Sequence, residues 1–165
     1  MVAIADVESI FKKHRWNYQL TQGGNLVSGF DGITIGVGVD SQAQVIVIFA
    51  PVYIAEGPAA AALQSHSGDV DSFLMTFASR ISSSEEFTIE RDAQSVFVHS
   101  TIHVRGTLLD EGQFLRALGF TVAAASVLSP FVRALALGQT TLRQALDVLN
   151  RVIEEIDRER RRRSA

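Results

Sequence analysis

The chain has 165 residues, no cysteine and a net charge of −3. That length buries a core without covalent staples, and the composition excludes disulfides, thiolate catalysis and cysteine-bearing metal sites. The charge is uneven: Asp157–Ala165 holds five arginines and two acids, whereas residues 1–156 hold ten basic and sixteen acidic side chains, so an acidic body argues against nucleic acid except at the tail.

Residues 2–15 predict an amphipathic helix, with Ile4, Val7, Ile10, Phe11 and His14 at helical spacing. Its start lacks the basic and apolar segments of a signal peptide, which suits a cytoplasmic protein. Trp16 is expected to pack the helix exit against the first strand. Tyr18–Thr21 and Leu26–Phe30 flank Gly23-Gly24 as a hairpin. Ile33–Val39 alternates strictly, and Val45–Ala50 is apolar on both faces and stopped by Pro51. Ala55–Gly68 reads as a loop with one helical turn at most. Asp69 or Asp71 caps a helix to about Ser82 that buries Val70, Phe73, Phe77 and Ile81.

Phe87–Arg91 and Ser95–Arg105 form a second hairpin around Asp92-Ala-Gln. Asp110 and Gln113 have capping-box spacing for a helix to about Ser129, where Pro130 restarts the chain and Gly138 closes it. The uncharged run Ala117–Val132 is sixteen residues, short of the roughly 20 a membrane span needs. Thr141 and Gln144 cap a last helix burying Leu142, Ala145, Leu146, Leu149, Val152, Ile153 and Ile156. The order α-β-β-β-β-α-β-β-α-α implies an α+β domain with an antiparallel sheet of about five to six strands, covering residues 1–157, with a basic tail at 158–165.

Residues 33–49 carry the clearest functional signal. A two-residue loop would set Val45, Val47 and Phe49 beside Gly38, Gly36 and Thr34; a five-residue loop would set Ile46 and Ile48 beside the glycines instead. In either register the glycine face gains large apolar neighbours, and burying each is worth roughly 1.5–3 kcal/mol. One face then meets the helices of this chain and the second meets either its own last helices or a second subunit. Gly36 and Gly38 leave a channel that permits close approach.

Little else suggests chemistry. His99 and His103 share a strand face about 13 Å apart, too far for one zinc ion without ligands between them. His14 and His66 have no sequence-local carboxylate or nucleophile. No serine elbow or phosphate loop occurs. Glu85-Glu86 and Glu154-Glu155 are adjacent rather than paired on one face. Arg160–Arg163 reads as a solvated helix end, supported by i,i+4 pairs Glu154–Arg158 and Asp157–Arg161.

Four segments carry a family resemblance: Lys-Lys-His-Arg-Trp-Asn-Tyr before a glycine-turned hairpin, Val-Ile-Val-Ile-Phe-Ala-Pro-Val, Phe-Leu-Met-Thr-Phe-Ala-Ser-Arg-Ile, and Val-Arg-Gly-Thr-Leu-Leu-Asp-Glu-Gly-Gln-Phe. Over about residues 3–135 the chain resembles the YbjN-type group, with its type III secretion chaperone-like domain. The resemblance implies an α+β domain, often homodimeric, that acts by binding other proteins. The expected function is a non-enzymatic interaction module, without cofactor or metal, in which Gly36, Gly38, Val45, Ile46, Val47, Ile48 and Phe49 supply the partner surface, only alternate ones facing the partner. The alternative is a small-ligand sensor or enzyme with a pocket near His99, His103 and Arg105.

Overall fold

Short stretches with the two-residue period of a strand pair here into one antiparallel sheet, with helices before, among and after them in the chain. The computed structural model describes residues 1–81, 86–106 and 108–163. In chain order the elements are α1 (Ile4–Lys13), β1 (Gln19–Leu20), β2 (Leu26–Phe30), β3 (Ile33–Asp40), β4 (Val45–Ile54), α2 (Pro58–Ser65), α3 (Ser67–Arg80), β5 (Glu86–Arg91), β6 (Ser95–His103), α4 (Glu111–Ala136) and α5 (Leu142–Arg163). The sheet order is β1-β2-β3-β4-β6-β5. The residues group into two compact units, Met1–Ile54 with Ser82–Ser129 and Ala55–Ile81 with Pro130–Ala165.

The first unit is built on the sheet. Ile35 and Val37 of β3, Ile46 and Ile48 of β4 and Val98 and Ile102 of β6 are fully buried on one face. Ser100 on that face shares a 2.8 Å hydrogen bond with Thr121 of α4, whose hydroxyl also donates to the Ala117 carbonyl. Phe87 meets Phe120 edge-on, and Phe11 of α1 packs its edge against both Phe30 and Phe114. Trp16 lies edge-on to Phe30 at the end of β2 and stacks with His14, so its strand partner in this ring contact is the second strand where the first was expected. The end of α1 is tied to the start of α4 by Glu111, which takes bonds from Lys13 Nζ at 2.6 Å and His14 Nε2 at 2.8 Å. The Lys13 bond first, then His14, holds the Glu111 carboxyl below the usual glutamate range.

Several expectations need correction. The β3–β4 turn has four residues, so Gly36 pairs with Phe49 and Gly38 with Val47; neither proposed register occurs. Asp40 fixes this turn by accepting from the Gln42 and Ala43 amides, with Gln44 at φ 56°. Pro51 does not stop β4, which runs on to Ile54. Pairing with β3 has ended by Phe49 and a register shift with β6 falls between Pro51 and Tyr53, so a residue lacking an N–H is tolerated. β6 ends at His103 rather than Arg105, one step before the Val104 amide donates a last bond to the Gln44 carbonyl.

In the second unit, the supposed loop contains α2, begun by Pro58 at its first turn and carried by four alanines. α3 starts at Ser67, so neither Asp69 nor Asp71 caps it; Asp69 sits in its first turn. Its predicted end at Ser82 lies outside the described residues, and Ile81 is only half-buried. Val70, Phe73, Leu74 and Phe77 form its core face. α3 is tied to α5 by a hydrogen bond from Arg80 to Asn150.

α4 continues through Pro130. The carbonyl that Pro130 leaves without its usual partner belongs to Ser126, and both residues are exposed, so water can satisfy it. Gly138 ends the helix at φ 64°, with the Gly138 and Gln139 amides donating to Leu135 and Ala134. By length and composition α4 could cross a membrane, yet Phe114, Ala117, Thr121, Ala125 and Leu128 along it are buried in protein. Thr141 and Gln144 form the expected box at α5. Of its predicted apolar face, Ala145 and Leu149 are buried, whereas Ile156 is 42% exposed.

Candidate partner-binding face

The alternation of β3 and β4 separates the seven residues singled out from sequence. Gly36, Gly38, Val45, Val47 and Phe49 share the outer face of the sheet, while Ile46 and Ile48 are 0% exposed on the inner one. Val45, Val47 and Phe49 are half-buried, as are Pro51, Tyr53 and Phe97 nearby. Gly36 is buried because the Phe49 ring lies over it, where any Cβ would collide with the ring. Gly38 has more room, its nearest obstacle being Asn25 Oδ1 at 3.2 Å. The glycine channel is therefore filled at one rung by a phenylalanine of the next strand and stays shallow at the other.

Across β4, β6 and β5 the outer rungs read Val47–Thr101–Glu86, Phe49–His99–Thr88 and Pro51–Phe97–Glu90. Apolar groups thus occupy β4 and carboxylates the edge strand β5. His103 Nε2 lies 2.9 Å from Glu86 Oε2 and His99 Nε2 lies 3.4 Å from Glu90 Oε2. The second contact is within ion-pair range but outside hydrogen-bond geometry, and His99 Nε2 is buried without a hydrogen bond.

His99, His103 and Arg105 do not converge. His103 and Arg105 line an open cleft of 470 Å³ with Glu86 and Asp110. His99 lines another, of 310 Å³, with Phe49, Glu90, Asp92, Ser95 and Phe97. Among the described residues no three His, Asp or Glu side chains gather as a metal site. Asp92 anchors the β5–β6 hairpin: its carboxylate accepts from the Ser95 hydroxyl at 2.7 Å and from the Gln94 and Ser95 amides. Those bonds, the Ser95 hydroxyl foremost, hold its carboxyl below the usual aspartate range.

Sequence reasoning missed Phe97, Glu86 and Glu90 as companions of β4 on the outer face. The pairing of β6 beside β4 brings them there from about fifty residues away, and the one available signal was the exposed-face alternation of Thr88 and Glu90. Glu85 lies outside the described residues, so its pairing with Glu86 has no structural account. Glu154 and Glu155 are both exposed, and Glu154 pairs with Arg158 at 3.3 Å.

Comparison with solved structures defines the fold. The type III secretion chaperone SycH of Yersinia pestis, solved in complex with a stable fragment of YscM2, superposes with a TM-score of 0.50 at 15% identity, covering 76% of this chain and 98% of SycH. The fold is that of a type III secretion chaperone. An uncharacterized protein from Methanothermobacter thermautotrophicus superposes at 0.53 and 11% identity, over 77% of this chain and 93% of its own. YbjN of E. coli, described as a putative transcription regulator, overlaps 83% of this chain and 90% of its own at 10% identity and a TM-score of 0.46. No family model and no curated protein matches the sequence.

Proposed function

We propose that this chain is a non-enzymatic protein-binding module that seats a partner segment on the outer face of its sheet and works as a homodimer. The observation that carries the reading is the placement of half-buried Val45, Val47 and Phe49 on the sheet face opposite the one where Ile46 and Ile48 are fully buried. Apolar surface of this kind gains from being covered, and an extended segment can lie along it with alternate side chains inward. The chaperone neighbour, solved with a protein fragment, supports protein binding as the mode of action. The separation of His99 from His103 and Arg105 removes the support for an enclosed catalytic pocket.

The test compares the tagged wild-type chain with Val47→Lys, purified at native expression and checked for equal secondary structure. The reading expects a stoichiometric protein partner with the wild type only, and a light-scattering mass of twice 18.0 kDa for the isolated protein. Partner recovery unaffected by Val47→Lys would contradict the docking face, and a monomer at all concentrations would contradict the homodimer.

A further inference from the structure

The 310 Å³ cleft at the hairpin end of the outer face has a composition that goes beyond general apolarity. Two of its residues are phenylalanines, Phe49 and Phe97, two are carboxylates, Glu90 and Asp92, and one is His99. Among the described residues no lysine or arginine lines it. Arg91, whose charge reaches Asp92, falls on the inner-face side of β5 with Phe87 and Ile89. We propose that this cleft receives a single arginine side chain carried by the partner segment.

The chemistry of each wall fits a guanidinium. Its planar, weakly hydrated cation stacks on aromatic rings and offers several N–H donors to carboxylates, which an ammonium does less well. Asp92 is held in place by Ser95 and Gln94, giving one fixed anionic wall. The Glu90 side chain is 69% exposed and is not hydrogen-bonded to His99, so it can swing aside at little cost. A guanidinium entering between them meets Glu90 on one side. On the other it supplies the hydrogen bond that His99 Nε2 lacks, when the ring proton is on Nδ1.

The inference rests on the outer face being the docking surface, and the experiment separates the two. The probe is a blocked five-residue peptide with arginine centred among valine and threonine, beside its neutral citrulline counterpart, titrated into isotope-labelled protein and followed by NMR. The arginine peptide is expected to shift the amides of the 90–99 hairpin and to bind about tenfold more tightly than the citrulline peptide, a difference that Glu90→Gln and added salt both reduce. Equal binding of the two peptides, shifts confined to other parts of the molecule, or indifference to Glu90→Gln would overturn it. If the arginine site fails while partner recovery still depends on Val47, only the inference falls. If the peptide binds while recovery ignores Val47, the docking reading falls instead.

Discussion

The two faces of β3 and β4 are made from neighbouring residues yet behave as different materials. Ile46 and Ile48 are fully buried among aliphatic and aromatic side chains, whereas Val45, Val47 and Phe49, one step along the same strand, remain half-exposed beside glycines and carboxylates. A continuous apolar run therefore serves two purposes. Its even-numbered residues lie sealed in the core, and its odd-numbered residues form the face on which the proposed docking rests.

The sharpest way to break this comparison is to truncate each face. Ile48→Ala removes a fully buried side chain and is expected to cost about 2–5 kcal/mol in denaturant unfolding; a cost below about 1 kcal/mol would deny Ile48 its core role. On the outer face Val47→Thr should cost under about 1 kcal/mol, because its surroundings are partly water already. A second inner-face test concerns polarity. Thr121→Val strands the buried Ser100 hydroxyl and should cost about 1–3 kcal/mol, while adding Ser100→Ala should recover much of the loss.

The glycines sharpen the contrast within the outer face itself. Gly36→Ala must displace the Phe49 ring and is expected to cost about 1–3 kcal/mol, more than Gly38→Ala, which faces only a movable asparagine side chain. Equal losses in thermal unfolding would mean that Phe49 does not sit over Gly36. Such an outcome would reopen the shallow channel along its full length.

Much of this architecture was legible in the sequence because period and turn chemistry are local. The hairpin at Asp92, the capping box at Thr141 and the stop at Gly138 all follow from residues a few positions apart. What escaped is what depends on distant partners. Pro51 passes through β4 because pairing with β3 has ended there, and α4 passes Pro130 because the freed carbonyl faces water. The four-residue turn after Asp40 depends on a carboxylate bridging two amides, which hydrophobic pattern cannot reveal. For the candidate face, β3 and β4 named its apolar half, while β5 and β6 added the acidic half through sheet order.

The smallest expected effect is a pH dependence in the tie between α1 and α4. The Glu111 carboxyl is lowered in the folded state, so its ionised form stabilises the fold above the ordinary glutamate range near 4.3. That contribution fades as pH falls through the lowered value. Glu111→Gln should lower thermal stability slightly at neutral pH, where the ionised form contributes, change it little at acid pH, and so flatten the acid limb of the profile; an unchanged limb would show that solvent screens the Lys13 and His14 contacts completely.

The most direct test of the outer face as a docking surface is site-specific photo-crosslinking in cells. A benzophenone amino acid replacing Val47 is expected to give a discrete adduct with a second polypeptide, while the same residue at exposed Ser79 of α3 gives none. No adduct at position 47, with adducts at position 79, would contradict the account.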